Sequence, residues 1–309
     1  MSNNGAILIT DSLFIGDEHV QQIERNGYSV QRLDEPEATE AQLIEAISGK
    51  VGYILGGTET VTKPVLEAAD KLKVISFTGA GYAEFIPAYE FARDKGIAIT
   101  AAKGGNSQAV AEFALTLILM ATRKLTQLTD PDGLKFETVK GVAETTVGII
   151  GMGDIGKRVA HFCESLGYSV LIAEREGLTG TPKNSRVVPL NSLLSQSDII
   201  SIHVSKIGGT NLIGKNEISL LKEGASIINT SFLHAIDKNA LIDRLKTGEI
   251  SAYLDSNIGQ HSDIKTSNLI QTNIQSGFNT FEALKAVSDQ TTRSLLSVLQ
   301  NGEDDFRVI

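Results

Sequence analysis

Gly151, Gly153 and Gly156 form the most specific chemical signal in this sequence. They lie between an apolar run and a segment with helical spacing, in the order G-x-G-x-x-G. In that order the first glycine allows a tight turn, the second lets the backbone approach a pyrophosphate, and the third lets a helix pack close to a strand. Asp154 and Ile155 begin the helix, whose free N–H groups and positive dipole end attract phosphate. The spacing predicts a dinucleotide site.

Glu174 extends this signal, because it ends a second apolar run about 20 residues after the glycines. A carboxylate at that place accepts hydrogen bonds from the adenosine ribose and repels a 2′-phosphate, so the sequence favours NAD over NADP. Arg175 follows, and we expect it to stack on the adenine or, less readily, to accommodate a phosphate. The alternative, a glycine-rich turn without a cofactor, leaves the acid unexplained.

Short apolar runs alternate with helical segments and must position these residues. In the first hundred residues the apolar runs are typical of strands buried on both faces, at 6–10, 29–33, 51–55, 74–77 and 97–100. The predicted helices between them span 17–26, 40–48 and 63–69. After the glycines, the predicted strands are 199–203, 226–229 and 250–254, and the predicted helices are 190–195, 217–221, 238–246 and 281–299. The alternation indicates two doubly wound α/β units.

The segment 106–125 is a long helix with apolar residues on most of its circumference. We therefore expect several of its faces to be buried, under the second unit, at a subunit interface, or both. The Asp-Pro-Asp-Gly sequence at 130–133 is a turn signal.

The composition excludes several classes of function. A chain of 309 residues with 41% hydrophobic and 21% charged residues is an ordinary globular protein, long enough for two cores. A net charge of −9 argues against general nucleic-acid binding, and no apolar run approaches a membrane span. Five scattered histidines and one cysteine suggest no metal site, and Cys163 falls on an apolar helix face, which predicts core packing. With no signal peptide visible, we expect a cytoplasmic protein.

The order of motifs resembles that of the D-isomer-specific 2-hydroxyacid dehydrogenases over nearly the whole chain. The segments that carry the resemblance are G-A-G-Y at 79–82, N-S-Q-A-V-A-E at 106–112, G-M-G-D-I-G at 151–156, S-I-H-V at 201–204, I-I-N-T at 227–230, Y-L-D at 253–255 and G-F-N-T-F-E-A at 277–283. The resemblance implies two Rossmann-like doubly wound domains, with a dinucleotide-binding domain at 102–284 inserted into a flavodoxin-like substrate domain formed by 1–101 and 285–309. It also implies a homodimer, with the substrate in the cleft between the domains.

The same resemblance assigns roles to residues at strand ends. His203, Val204 and Thr230 would line the cofactor, and Asp255 would hydrogen-bond the nicotinamide carboxamide. The substrate carboxylate would meet backbone N–H groups at Gly57, Ala80 and Gly81.

Three side chains perform the chemistry of that family, and this chain replaces all three. Where an arginine grips the substrate carboxylate, two residues after I-N-T, the sequence has Phe232. Gln260 stands where a glutamate supports the catalytic histidine, and Gln275 stands where that histidine exchanges the proton. A glutamine has no proton to exchange near neutral pH, and loss of acid–base help alone costs about 10²–10⁴ in rate. We therefore expect poor turnover of ordinary 2-hydroxy acids.

These substitutions leave three interpretations open. The first is an NAD(H)-dependent oxidoreductase with a remodelled site, in which Phe232 suits an apolar group and His234 or His261 takes over the acid–base role. The second is an NAD(H)-binding pseudoenzyme that senses redox state or scaffolds a partner. The third is a non-redox enzyme that reuses the cleft, which the retained glycines disfavour.

Overall fold

The computed structural model describes residues 4–10, 13–33, 38–128, 138–205 and 211–309. The chain divides into two compact units, one made of Met1–Asn106 with Thr280–Ile309 and the other of Ser107–Asn279. The insert expected at 102–284 is therefore five residues longer at each end than the second unit.

A parallel five-stranded sheet forms the centre of the first unit. Its strands are β1 (Ala6–Ile9), β2 (Ser29–Arg32), β3 (Lys50–Leu55), β4 (Val74–Phe77) and β5 (Ala98–Ala101), in the spatial order β2-β1-β3-β4-β5. The connecting helices are α1 (Asp17–Arg25), α2 (Glu40–Ile47), α3 (Lys63–Ala68), α4 (Tyr82–Phe85) and α5 (Tyr89–Asp94). Every residue of β4 and β5 is buried, as expected for parallel strands covered on both faces.

A parallel seven-stranded sheet forms the centre of the second unit. Its strands are β6 (Thr146–Ile150), β7 (Ser169–Ala173), β8 (Arg186–Val188), β9 (Ile199–Ile202), β10 (Ser226–Asn229), β11 (Ser251–Leu254) and β12 (Leu269–Gln271). The spatial order is β12-β11-β10-β9-β6-β7-β8, so strands are added on one side of β6 up to β8 and on its other side from β9 onward, and the strand order reverses between β6 and β9. The helices are α6 (Ser107–Thr122), α7 (Leu125–Leu128), α8 (Asp154–Leu166), α9 (Leu190–Gln196), α10 (Lys215–Ser219) and α11 (Lys238–Lys246). These two sheets confirm the predicted fold class.

The last long helix, α12 (Phe281–Asn301), returns the chain to the first unit. The Thr280 side chain accepts a hydrogen bond from the N–H of Ala283 and caps its first turn. The helix packs on β3, β4 and β5 and against α1.

Helix α6 is buried on several faces, as its sequence predicts. Its small residues Ala111, Ala114 and Ala121 belong to the same apolar cluster as Cys163 of α8, and α6 packs along α8. The prediction that Cys163 is a core residue is confirmed, and burial raises the pKa of its thiol to about 12.

Five short elements in the described residues were not predicted from the sequence, and they are β8, β12, α4, α5 and the four-residue α7. Strand β8 is an edge strand whose residues are mostly exposed, and β12 has only three residues, so neither shows an apolar run. Helices α4 and α5 have four and six residues, too short for a helical period to be visible. The turn signal at 130–133 lies outside the described residues. In the described part of the chain, no helix is long and apolar enough to cross a membrane.

Candidate functional site

The carboxyl edge of the seven-stranded sheet collects the residues predicted to bind the cofactor. Gly151 follows β6, Glu174 follows β7, His203 follows β9, Thr230 follows β10 and Asp255 follows β11. These strands are parallel neighbours, so their carboxyl ends meet at one edge, which spans about 19 Å at the usual ~4.8 Å strand spacing. A doubly wound sheet binds ligands at this edge, where the strand order reverses.

The first and third glycines are required by steric contacts. Gly151 has a φ of +96°, and a Cβ there would overlap the carbonyl oxygen of His203. A Cβ on Gly156 would overlap the carbonyl oxygen of Gly151 and lie 3.4 Å from the Cβ of His203. Val204 packs against the same turn, with Cγ1 3.0 Å from the position of a Gly151 Cβ. The turn between β6 and α8 therefore has no room for a side chain at Gly151 or at Gly156.

Gly153 differs from these two glycines. A Cβ there would have no neighbouring atom within 4 Å, and its φ of −74° is open to any residue. Gly153 is the N-cap of α8, and it supplies no side-chain cap to the first turn, where Asp154 and Ile155 lie. Unfilled space above uncapped N–H groups at a helix start is the arrangement that receives a phosphate. The chain's own geometry therefore fits a pyrophosphate at this turn.

The predicted adenosine end lies beside the edge strand β8. The backbone N–H of Glu174 donates to the carbonyl oxygen of Val188, which fixes the end of β7. The side chains of Glu174 and Arg175 are exposed and reach solvent. A carboxylate held at the end of the second strand can accept hydrogen bonds from ribose hydroxyls.

His203 is a neutral residue at the end of β9. Its Nε2 lies 2.8 Å from Oγ of Ser201, and burial lowers the pKa of the ring to about 4. Nδ1 is buried and has no hydrogen-bond partner within the described residues. A ring that stays neutral at physiological pH cannot donate a proton in the way a catalytic imidazolium does.

Two buried hydroxyl groups lie at the ends of the next strands. Oγ1 of Thr230, after β10, and Oγ of Ser256, after β11, are both without a partner among the residues that the structure describes. Because buried polar groups are normally paired, these hydroxyls are available to a polar group of a ligand. Thr230 was predicted to line the cofactor. Ser256 was missed, and its place next to Asp255 was the signal that could have found it.

Asp255 organises the loop that follows β12. Its Oδ1 accepts from Oγ1 of Thr272 at 3.0 Å and from N of Ser276 at 2.8 Å, and its Oδ2 accepts from N of Gly277 at 2.8 Å. Gln275 lies in this loop and is half-buried. The carboxylate therefore holds the segment that carries Gln275, and its predicted contact with the nicotinamide carboxamide stays a prediction.

Phe232 and His234 lie together beyond the end of β10. Their rings are stacked, with centroids 6.1 Å apart and an interplanar angle of 28°. Both ring nitrogens of His234 are buried without a partner in the described parts of the chain. An aromatic ring and a histidine thus occupy the segment in which the family resemblance placed an arginine.

Gln260 and His261 lie in the loop after β11. Gln260 is exposed, while His261 is half-buried with Nε2 3.1 Å from the carbonyl oxygen of Ile258. Gln271 pins this loop, because its Oε1 accepts from N of Ile258 and its Nε2 donates to the carbonyl oxygen of Gly259. The ring of His261 therefore takes part in the folding of its own loop.

In the first unit, Gly57 follows β3 while Ala80 and Gly81 follow β4. These strands are parallel neighbours, so the three residues belong to one carboxyl edge. A Cβ on Gly57 would overlap Oε2 of the buried Glu59, whose Oε1 accepts from the hydroxyl of Tyr53 at 2.9 Å. The sequence did not point to this buried carboxylate.

Among the described residues, one cluster of possible metal ligands occurs, and it lies in the first unit. Nε2 of His19 lies 3.1 Å from Oδ1 of Asp289 and 3.9 Å from Oε1 of Glu18. Nζ of Lys285 lies 3.1 Å from Oδ2 of Asp289, so an ammonium already compensates this carboxylate. The sequence had suggested no such cluster, and we assign no metal to it.

Comparison with known proteins identifies the second unit. Residues 115–272 match the family model described as D-isomer specific 2-hydroxyacid dehydrogenase, NAD binding domain. A glyoxylate reductase of Thermofilum pendens is 31% identical over 279 residues, which cover 84% of this chain and 81% of that protein. A D-3-phosphoglycerate dehydrogenase of Methanocaldococcus jannaschii is 29% identical, with 85% of this chain and 52% of that protein covered. The chain spans about half the length of the phosphoglycerate dehydrogenases it matches.

Solved structures show the same fold. The NAD⁺-bound 3-phosphoglycerate dehydrogenase of Entamoeba histolytica superposes with a TM-score of 0.84 at 23% identity, covering 100% of this chain and 99% of the other. The family model describes an NAD-binding domain, so NAD is the cofactor of the second unit, and its place at the glycine turn between β6 and α8 stays a prediction.

Proposed function

The chain belongs to the D-isomer specific 2-hydroxyacid dehydrogenase family, and we propose that it is an NAD(H)-dependent oxidoreductase whose substrate is not an ordinary 2-hydroxy acid. The observation that carries the proposal is a combination of two features. The turn at 151–156 between β6 and α8, called here the nucleotide turn, keeps its three glycines, and Phe232 stands in place of the arginine that would bind a carboxylate.

The nucleotide turn supports cofactor binding. The space above Gly153 and the uncapped N–H groups of α8 suit the pyrophosphate, and Glu174 suits the adenosine ribose. NAD(H), when bound, supplies or accepts a hydride. Thr230, Ser256 and His203 each offer a buried polar atom without a partner in the described structure, and these atoms can orient the polar groups of the nicotinamide half.

The loops around Phe232 support an uncharged substrate. Among the described residues 203–205, 230–237 and 255–264, none is an arginine or a lysine. A carboxylate moved from water to this edge would lose its hydration without gaining a cation, which is unfavourable. The phenylalanine ring instead offers an apolar contact, while Gln260 and Gln275 can hydrogen-bond a neutral polar group. We therefore propose an uncharged carbonyl compound, or the corresponding alcohol, as the substrate class.

A pseudoenzyme is the second candidate, favoured by the loss of the family's proton-exchanging pair. Gln260 and Gln275 replace an acid and a histidine, and neither glutamine titrates. A pseudoenzyme would bind NADH at the same turn and would show no turnover with any carbonyl compound.

The two candidates are separated by one experiment on the purified chain. NADH binding is measured by the change in NADH fluorescence, and NADH oxidation is then followed with benzaldehyde and acetophenone and with glyoxylate, pyruvate and hydroxypyruvate. The proposal predicts binding, with turnover of the uncharged compounds exceeding that of the 2-oxo acids. Binding without any turnover supports the pseudoenzyme, and efficient turnover of the 2-oxo acids contradicts the proposed substrate class.

We also propose a homodimer that acts in the cytoplasm. Leu119 at the end of α6, together with Leu125 and Leu128 of α7, exposes apolar side chains that a second copy of the chain would cover. The single cysteine leaves no internal disulfide, which suits a reducing compartment.

A further inference from the structure

We propose that His234 exchanges the proton with the substrate oxygen, an inference that rests on the oxidoreductase function proposed above. The reaction would use an uncharged carbonyl compound that packs against Phe232. No other ring or carboxyl group in the described loops at this sheet edge offers the same combination of position and free polar atoms.

The ring of His234 lies beside Phe232, the residue that we propose contacts the substrate. It stacks with Phe232 at a centroid distance of 6.1 Å, so the two rings present neighbouring surfaces beyond the end of β10. Nδ1 and Nε2 are both buried, and neither has a partner in the described structure. Leaving a buried polar atom unpaired is unfavourable, so two such atoms in one ring point to a partner that arrives with a ligand.

The backbone holds this ring in place. Asn211 donates its N–H to the carbonyl oxygen of His234 at 2.7 Å, and Ile236 donates to the carbonyl oxygen of Leu233 at 2.9 Å. Oδ1 of Asn229 accepts from both N and Oγ of Ser231, which fixes the turn at the end of β10. A proton-exchanging group needs such a fixed position, because transfer requires a donor–acceptor distance of about 2.6–3.2 Å.

The other ionisable groups in the described loops at this edge are engaged or stay neutral. Asp237 accepts from N of Ala240, and Asp263 forms an ion pair with Lys246. Asp255 accepts three hydrogen bonds from the loop after β12, and Nε2 of His261 lies within hydrogen-bond distance of the Ile258 carbonyl oxygen. His203 remains neutral, because burial lowers its pKa to about 4. His234 is the titratable group in residues 203–205, 230–237 and 255–264 whose ring nitrogens are both free.

The proposed step balances in protons and electrons. In the direction of reduction, a new C–H bond forms at the carbonyl carbon with the hydride from NADH, and the π electron pair of the C=O bond moves to oxygen. The imidazolium of His234 gives that oxygen a proton, so one N–H bond breaks, one O–H bond forms and the ring is left neutral. After the alcohol has left, water that takes its place in the site returns a proton to the ring. Oxidation of the alcohol runs through the same exchange in reverse.

The kinetic test compares wild type with His234→Gln, using His161→Gln as the matched control on the exposed surface of α8. NADH oxidation is followed with benzaldehyde and acetophenone. Turnover of His234→Gln is expected to fall about 10²–10⁴-fold, while NADH affinity changes by less than about threefold. Added imidazole is expected to restore part of the turnover of His234→Ala, which a purely structural role would not allow. Unchanged turnover in His234→Gln overturns the inference.

A second measurement does not depend on turnover. The chain has five histidines, so ¹⁵N-histidine NMR of the NAD⁺ complex resolves each ring, and His234→Gln assigns the signal. Titration with benzyl alcohol is expected to shift the His234 resonances and to leave those of His161 in place. Unmoved His234 resonances overturn the inference.

The two proposals can fail separately. A wild type that reduces these carbonyl compounds while His234→Gln reduces them equally well contradicts only the role of His234. A wild type that binds NADH but reduces none of them contradicts both the oxidoreductase function and the proton exchange.

Discussion

At the scale of single residues, glycine suits the three positions of the nucleotide turn for different physical reasons. Gly151 and Gly156 are required by the fold itself, because a Cβ at either position would overlap a backbone carbonyl oxygen. Gly153 has free space around its Cα and an ordinary backbone conformation, so the folded chain alone does not require a glycine there. We therefore expect a glycine at this position to matter for ligand binding and not for folding.

Gly153→Ala should therefore weaken cofactor binding without destabilising the fold. The added methyl group would occupy the space that a pyrophosphate approaches, and we expect NADH affinity to fall by about tenfold or more, which is at least ~1.4 kcal/mol. NADH fluorescence titration measures the affinity, and thermal unfolding measures the stability.

Gly156→Ala is the matched comparison, because its methyl group would collide with the carbonyl oxygen of Gly151. We expect this variant to lose stability as well as NADH affinity. Equal NADH affinity in wild type and Gly153→Ala would show that the phosphate does not approach this position.

His203 should make the protein sensitive to acid. The unfolded chain protonates this histidine near its ordinary pKa of 6.5, whereas the folded chain keeps the ring neutral down to a pKa of about 4. The unfolded state therefore binds more protons between these values, and the free energy of unfolding falls as pH decreases from about 6.5 to about 4. His203→Gln removes this dependence while keeping a group that can hydrogen-bond Ser201.

Urea unfolding at several pH values checks this prediction. The difference in stability between wild type and His203→Gln should change in favour of the variant as the pH falls through that interval. A difference that is the same at every pH would mean that the ring is not held neutral by burial.

Residue types and spacing predicted the nucleotide turn after β6. They did not predict which side chains form hydrogen bonds with one another at the strand ends. G-x-G-x-x-G spacing is local, so Gly151, Gly153 and Gly156 could be found from sequence alone. The three hydrogen bonds of Asp255 come from residues 17 to 22 positions later in the chain, and such pairing is set by tertiary packing. For the same reason Ser256 was missed.

At the scale of elements, Asp198 joins the amino ends of three strands. Its carboxylate accepts from the N–H of Thr146 at 2.9 Å and from the ammonium groups of Lys140 and Lys222 at 3.0 and 3.2 Å. Its carbonyl oxygen accepts from the N–H of Ser226. Burial opposes its ionisation, but these donors outweigh burial and hold the pKa of Asp198 below its ordinary value. Asp198, which lies just before β9, thus links its strand to β6 through the carboxylate and to β10 through the backbone carbonyl oxygen.

Asp198→Ala should destabilise the second unit by about 1–3 kcal/mol, because the N–H of Thr146 and two ammonium groups lose their shared acceptor. Because the folded pKa is depressed, this contribution is present above the ordinary carboxyl pKa and is lost as the pH falls through the folded value. Urea unfolding followed by circular dichroism measures the loss.

Asp198→Asn serves as the control, since it keeps an acceptor for Thr146 and removes only the charge. Its loss should be smaller, because partly exposed ion pairs contribute little. A change below about 0.5 kcal/mol in the alanine variant would contradict the role of this carboxylate.

The helices and strands were predictable where apolar residues form a continuous run or recur with a helical period. Strands such as β4 and β10 are short buried runs bounded by polar residues, and the predicted bounds of β10 match those observed. Strand β8 lies at the sheet edge with exposed side chains, so it carries no apolar signal. Its pairing with β7 is what keeps it extended.

At the scale of the whole molecule, exposed leucines on α6 and α7 predict a homodimer. A single chain has a mass of 33.1 kDa, and light scattering on the eluted peak should give twice that value. Leu128→Lys, which places a charge at a 58% exposed position, should shift the molecule toward the monomer. Leu166→Lys on α8 is the control, and equal dimerisation in both variants would mean that the interface lies elsewhere.

The whole-molecule account depends on a cofactor turn that is retained and an anion-binding position that has become apolar. The most direct test is the rate of NADH oxidation by the purified chain at saturating NADH, with benzaldehyde in one series and glyoxylate in the other. The account predicts that kcat/KM for benzaldehyde is at least about tenfold higher than kcat/KM for glyoxylate. Efficient reduction of glyoxylate, with benzaldehyde left unreacted, would contradict it.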